Sequence, residues 1–252
     1  MNLKESVIAI TGAGQGLGQM MAITLAQSGA ELALLDVNHQ ALKQTQDQCH
    51  MLGVKALTYE VDVTNEQDVV TVFDTISQDF GQLDGLINNA GILRDGLLVK
   101  VKDGEMTKMS LEQFNSVINV NLTGTFLCGR EAAAQMINTQ RKGVIINISS
   151  VAREGNIGQT NYAASKAAVA TMAQGWAKEL ARYGIRSTAI APGIVQTSMA
   201  EQLKPEAIER LNKMVPVGRI GAPAEIAQAA KFIFENDYFN GRVLEVDGGL
   251  RM

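Results

Sequence analysis

Tyr162 and Lys166 stand four residues apart, and Ser150 lies 12 residues before the tyrosine. Four residues is about one helical turn, so phenol and ammonium project from one face of a shared helix. A free phenol keeps its proton to about pH 10. A cation beside it favours the phenolate and makes the phenol a usable acid nearer neutrality. At about 4.5 Å and an effective dielectric of about 20, Coulomb's law gives roughly 3–4 kcal/mol, enough to lower the deprotonation point by roughly 2–3 pH units before solvent screening. The pair alone also describes two surface neighbours, so its weight comes from the rest of the chain.

The first strand-like run is followed by Thr11-Gly12-Ala13-Gly14-Gln15-Gly16-Leu17-Gly18 and then by a helical pattern. The Gly-x-Gly-x-x-Gly spacing fails at Leu17, and glycines at 12, 16 and 18 remain. Such a turn lets phosphate approach the backbone closely and aims the free N–H groups of a helix start at an anion. The second strand pattern ends at Asp36, 18 residues after Gly18. A carboxylate there accepts hydrogen bonds from ribose hydroxyls and repels a 2′-phosphate. Gln15 and Val37 bring no positive charge, so the expected cofactor is NAD(H) in preference to NADP(H). Asp36 also fits a helix cap. Asp62, with Val63 at the end of the third strand pattern, fits either an acceptor for the adenine amino group or a loop cap.

These residues need a scaffold. Short apolar runs at 7–10, 32–35, 56–61, 85–87, 144–148, 187–191 and 243–246 predict strands. Helix-period segments at about 17–29, 39–52, 66–80, 111–138, 160–182 and 223–235 separate them. The alternation implies right-handed crossovers and a parallel sheet covered on both faces, a single doubly wound Rossmann-like α/β domain over 1–252. Two stretches break the rhythm. Residues 98–109 alternate, turn at Asp103-Gly104 and resume, which predicts an extra hairpin. Residues from 192 to about 215 follow a strand's carboxyl end, the ligand side of an open sheet. Within them 198–214 reads as a lid with Met199, Leu203, Leu211 and Met214 underneath, or as a static cover for the core.

The 252 residues carry a net charge of −4 and no basic cluster, which excludes the electrostatic footprint of a nucleic-acid binder. No stretch reaches the roughly 20 apolar residues of a membrane span, and Met1–Ser6 lacks a signal-peptide core, so a soluble cytoplasmic protein is expected. Cys49 and Cys128 have no metal-ligand spacing and read as reduced and buried.

With Asn88-Asn89-Ala90-Gly91, Asn121, Tyr162-Ala-Ala-Ser-Lys166 and Pro192-Gly193 added in order, the chain resembles the short-chain dehydrogenases/reductases along nearly its whole length. The resemblance implies that Tyr162 exchanges a proton with the substrate oxygen, and that Lys166 tunes it and binds the nicotinamide ribose. Ser150 would orient the same oxygen, Ser149 being its competitor. Asn121 would hold a water linking Lys166 to a proton relay, a role for which Asn119 is less well placed. It implies cofactor contacts at Gly12, Gln15, Gly16, Leu17, Gly18, Asp36, Asp62, Val63, Asn89, Ala90, Gly91, Pro192 and Gly193, with the Val195 backbone and the Thr197 hydroxyl on the carboxamide.

Within the family the chain looks most like the bacterial 3-oxoacyl-[acyl-carrier-protein] reductases, on Asn88–Asp95, Gly158–Lys166 and Val246–Gly249. That implies reduction of 3-oxoacyl thioesters of acyl carrier protein or CoA. It departs from that group in Asp36, since those enzymes mostly use NADPH, in the longer 98–109 segment, and in carrier docking. Arg141 matches one docking cation near the entrance, whereas Tyr183, beside Arg182, replaces another. The alternatives are an NAD-dependent secondary-alcohol dehydrogenase and a non-catalytic dinucleotide sensor. The family resemblance also implies a homotetramer. The small residues of 160–182 suggest a helix buried on two sides, with Met172, Trp176 and Leu180 facing either a symmetry mate or the chain itself.

Overall fold

The computed structural model describes residues 1–196 and 205–251. Its main sheet has seven parallel strands in the order β3-β2-β1-β4-β7-β8-β9. In chain order β1 is Val7–Thr11, β2 Glu31–Asp36, β3 Ala56–Glu60, β4 Gly85–Asn88, β5 Val99–Lys102, β6 Glu105–Lys108, β7 Val144–Ile148, β8 Arg186–Pro192 and β9 Val243–Val246. The helices are α1 Gly16–Ala26, α2 His39–Met51, α3 Glu66–Phe80, α4 Leu111–Ile118, α5 Thr125–Asn138, α6 Thr160–Glu179, α7 Pro205–Met214 and α8 Pro223–Glu235. The seven expected strands and the hairpin at 98–109, which is β5 and β6, are all present.

Alternation along each strand sorts side chains into two cores. Ile8, Ile10, Leu32 and Leu34 meet Met21 and Leu25 of α1 and Ile226, Ile233 and Phe234 of α8. Val7, Ala9, Ala33 and Leu35 face the other way, onto Phe73 and Ile76 of α3 and Leu127 and Met136 of α5. Burial on both faces is what a parallel sheet requires, and it explains why its strands read as unbroken apolar runs. Both cysteines are free and buried, as expected. Burial pushes the Cys49 thiol up to about 11 and that of Cys128 up to about 12, so neither is a reactive thiolate.

Two expectations are corrected and one is narrowed. The span 111–138 is not one α-helix: α4 and α5 are joined by a π-helical segment, Asn119–Gly124. Asn121 is fully buried within it, and Gly124 passes so close to Val63 that an added Cβ would lie 2.7 Å from Cγ2. The widened turn lets the helix meet both constraints, as such segments do at functional sites. Next, of the two partners expected for Trp176, a symmetry mate or the chain itself, the chain supplies one. Its ring lies on Gly129 of α5, where a Cβ would come within 2.5 Å, and Leu180 joins the same core. Last, β3 ends at Glu60, two residues before Asp62. The lid expectation falls partly outside the described residues, at 198–204; its remainder is α7.

The strand order reverses between β1 and β4, and buried polar bonds stitch the two ends there. Thr11 Oγ1 accepts the N–H groups of Asn89 and Ala90, both at 3.0 Å. Asn89 Nδ2 returns bonds to the Thr11 and Gly12 carbonyls at 3.0 and 3.1 Å. Thr11→Val keeps the shape but orphans two backbone donors, at about 1–3 kcal/mol for each buried group. The expected outcome is a fall of about 2 kcal/mol or more in unfolding free energy, read from the urea midpoint, with β-sheet circular dichroism retained.

Candidate active site

Every expected cofactor residue in the first half of the chain except Gly18 lines one crevice at the carboxyl ends of β1, β2 and β4, with a volume of about 520 Å3. Gly18 lies beneath it: an added Cβ would sit 2.1 Å from the Gly12 carbonyl oxygen, so helix α1 packs on the turn only through glycine. Gly12 and Gly16 have φ of 64° and 59°, the left-handed conformation that a side chain resists. Gln15 precedes α1 in an extended conformation and makes no side-chain cap, which leaves the first-turn N–H groups of α1 to a ligand. Sequence reasoning missed the apolar wall of Leu35, Val37, Val61, Ile92 and Val120. Its only signal was adjacency to residues chosen for their polarity.

Asp36 is fixed at the crevice edge. Its Oδ2 accepts the Gly14 N–H at 3.0 Å and its Oδ1 the Asn38 N–H at 3.0 Å. The helix that follows is capped instead by Asn38, which accepts the Ala41 N–H. Asp62 is exposed, and its Oδ1 takes both the amide and the hydroxyl of Thr64, at 2.9 and 2.8 Å. The local loop bond expected as its alternative role thus occupies one carboxylate oxygen.

The crevice runs on toward the β7 end through Gly91, where an added Cβ would stand 3.3 Å from Asn121 Oδ1 and 3.5 Å from Lys166 Nζ. Asn121 Oδ1 accepts the Ile92 N–H at 2.8 Å, and its Nδ2 donates to the Ile92 carbonyl at 3.1 Å and to Ser165 Oγ at 3.2 Å. Its amide therefore holds protein groups in place; Asn119 is exposed. Ser149 is buried with its hydroxyl donated to the Lys166 carbonyl at 2.6 Å. Ser150 stands beside the Tyr162 hydroxyl, and its Oγ accepts the Ala152 N–H at 3.1 Å. Pro192 ends β8, and Gly193 lies where a Cβ would meet Asp247 Cα at 2.7 Å. Beyond it Gln196 and Ile194 bridge to Gly221, which leaves the Val195 peptide N–H out of that bridge. Thr197 lies outside the described residues.

The electrostatics of the pair differ from the expectation. Lys166 is buried, its Nζ donates to the Ile148 carbonyl at 2.7 Å, and it sits 5.6 Å from the centre of the Tyr162 ring. Desolvation pushes its ammonium down to about 8. The Tyr162 phenol is raised above its ordinary range, first by burial, against a lowering bond from Ser150, and further by the Asp95 carboxylate. A pair at the surface would be governed by its mutual attraction, whereas burial here penalises both charged forms. Arg141 also departs from its expected place. It binds buried Asp84 at 2.7 Å at the amino ends of β4 and β7, opposite the crevice.

Two hydroxyls thus converge beside a buried amine at the end of a long crevice. That arrangement can pass a proton to or from one oxygen while a dinucleotide lies along the strand ends. Among the described residues no cluster could hold a metal ion, and no helix is long and apolar enough to cross a membrane.

A family model described as enoyl-(acyl carrier protein) reductase matches residues 12–251. The 3-oxoacyl-[acyl-carrier-protein] reductase FabG of Thermotoga maritima is 41% identical over 253 residues, 99% of each chain. Carbonyl reductase family member 4 of Xenopus laevis is 37% identical over 249 residues, 98% of this chain and 99% of the relative. The FabG reductase of Vibrio cholerae is 35% identical over 255 residues, all of both chains.

Holding an ammonium that titrates at about 8 rather than near 10.5 costs roughly 3 kcal/mol at neutral pH. Below about pH 8 both folded and unfolded states carry the charge and the cost is complete. Between about 8 and 10 the unfolded chain binds more protons, so stability rises with pH. Lys166→Met is expected to be the more stable protein at pH 7, with an advantage that shrinks toward about pH 9.5, measured by chemical denaturation of both proteins.

Proposed function

The chain belongs to the short-chain dehydrogenase/reductase family, and from that premise we propose that it is a carbonyl reductase that turns 3-oxoacyl thioesters into 3-hydroxyacyl thioesters with NADH. The observation that carries the reading is the convergence of the Ser150 and Tyr162 hydroxyls in front of Lys166. Two donors meeting at one point suit a carbonyl oxygen that becomes an alkoxide. The family model's description names reduction of an enoyl group, whereas the relatives' names point to a carbonyl. Paired oxygen-directed donors favour the carbonyl.

A bound nicotinamide dinucleotide supplies hydride. The chain's own residues do the rest. Ser150 orients the carbonyl oxygen, and Tyr162, kept as phenol by burial, gives it a proton. Lys166 stands behind the phenol within reach of Gly91 and the crevice, and we assign it the ribose hydroxyls. Asn121 sets the Ile92 backbone and Ser165 around them. The uncapped start of α1, its glycine cradle and the volume of the crevice fit a dinucleotide pyrophosphate.

Asp36 supports NADH. Two backbone amides hold its carboxylate against the turn, so it cannot swing away from a 2′-phosphate. Like charges about 4 Å apart at an effective dielectric of about 20 repel by about 4 kcal/mol. The thioester handle is read from the relatives. Within one chain Arg141 lies away from the crevice, so it does not argue for a protein carrier over CoA.

NADH oxidation with acetoacetyl-CoA tests the reaction, and absence of turnover with CoA- and carrier-linked 3-oxoacyl substrates alike would refute it. Tyr162→Phe is expected to lose about 10³-fold or more in kcat while NADH still binds, measured by fluorescence titration. For the cofactor, kcat/KM with NADH should exceed that with NADPH at least about tenfold, and Asp36→Ala should narrow the gap by about as much.

A further inference from the structure

The chain leaving β4 is fastened to the start of α6 before it enters the exposed hairpin. The Gly96 N–H donates to the Gly158 carbonyl at 2.8 Å, and Gly96 and Gln159 form a parallel bridge. Gln159 Nε2 donates to Asp95 Oδ2 at 3.0 Å, and Asn161 Nδ2 to the Arg94 carbonyl at 3.0 Å. From α4, Gln113 Nε2 bonds the Arg94 and Asp95 carbonyls, both at 3.1 Å, and Gly96 leaves room for it. Gln159 and Asn161 lie three residues and one residue ahead of Tyr162. The clip therefore orders the turn that carries the phenol, and it brings a carboxylate with it.

We propose that Asp95 is a positioning residue that locks the first turn of α6 through Gln159 and so holds a carboxylate on the turn that carries the Tyr162 phenol. The proposal rests on the reading that Tyr162 is the proton donor. Lys166 lies beside the ring on its own helix, Ser150 comes beside the hydroxyl from the turn after β7, and the clip holds the Asp95 carboxylate on Gln159, three residues before Tyr162. Lys166 is occupied by the Ile148 carbonyl. Among the described residues, other charges close in sequence are engaged elsewhere. Arg153 bonds Glu154 and Glu245, and Arg94 bonds the Leu93 carbonyl. On α4, Gln113 is neutral and Glu112 is exposed. Asp95 is thus the anion in this set, and it acts in the same sense as burial.

The sign follows from charge. An anion beside a phenol disfavours phenolate, so the donor form survives to higher pH. Carbonyl reduction consumes the phenol proton; alcohol oxidation needs the phenolate. Asp95 is exposed, so solvent screens part of its field, and the effect is a modest displacement of the titration.

Asp95→Asn keeps an acceptor for Gln159 and removes the charge; Gln159→Ala keeps the charge and removes the clip. Tyr162 is titrated by tyrosinate absorbance as a difference from Tyr162→Phe, with no turnover required. In Asp95→Asn the titration is expected to fall by about half a pH unit or more, and Asp95→Glu should restore it. The basic limb of kcat/KM for acetoacetyl-CoA should move with it, at a KM within about twofold of the parent. Gln159→Ala should raise KM and leave the titration in place. An unmoved titration in Asp95→Asn, or an equal displacement in Gln159→Ala, overturns the proposal. A displaced titration in a protein inactive on every 3-oxoacyl thioester supports the role of Asp95 while refuting the substrate reading.

Discussion

The ammonium of Lys166 is buried against the carbonyl of Ile148, and much of the site exists to hold it there. An amine taken out of water seeks a partner or gives up its proton. Here the last residue of β7 supplies an oxygen and α6 supplies the amine, so the bond measures how closely that helix lies on that strand. Ser149 closes the same joint from the other side by donating to the Lys166 carbonyl. The neighbouring hydroxyl of Ser150 is thereby left to turn toward the phenol. Adjacent serines thus divide between structure and chemistry because the backbone stays extended just past β7 and sends successive side chains to opposite sides.

The same economy of polar groups runs through the crevice. Asn89, Asn121 and Thr11 look reactive in sequence, yet their side chains are largely taken up by backbone groups around the turns after β1 and β4. Strand ends in a parallel sheet expose amides and carbonyls that the ladder no longer pairs, and buried ones must be satisfied. These side chains satisfy them and so leave a rigid opening with free N–H groups at α1. Rigidity of this kind lets a site bind a long, flexible dinucleotide without ordering itself at the same time.

Where expectation and structure part, the cause is burial or long-range packing. Tyr162 and Lys166 share the helix face that their spacing implies, but not the solvated surroundings in which their charges would simply attract. In the folded chain desolvation is the first cause for both groups, raising the phenol and lowering the amine. The spacing left Trp176 facing either a symmetry mate or its own chain, and only the fold shows that Gly129, 47 residues earlier, opens a slot for its ring. Arg141 looked like an entrance cation until Asp84 drew it to the far ends of the strands. Asp95 and Gln159 fell within the matching motifs but drew no role, because their partnership joins segments that local periodicity does not connect.

The order of strands and helices, the glycine turn, the acidic residue closing β2 and the one-turn spacing of tyrosine and lysine were all legible from the chain alone. Each follows from local rules: side-chain periodicity, the φ freedom of glycine and the pitch of a helix. Only the tertiary structure decided which polar groups stay free. That outcome depends on residues as much as 92 positions apart, as with Thr11 and Asn89, Asn121 and Ser165, Ser149 and Lys166, or Arg153 and Glu245. Hydrogen bonding and desolvation are settled by what arrives from elsewhere in the fold, and no spacing rule along a sequence contains that information.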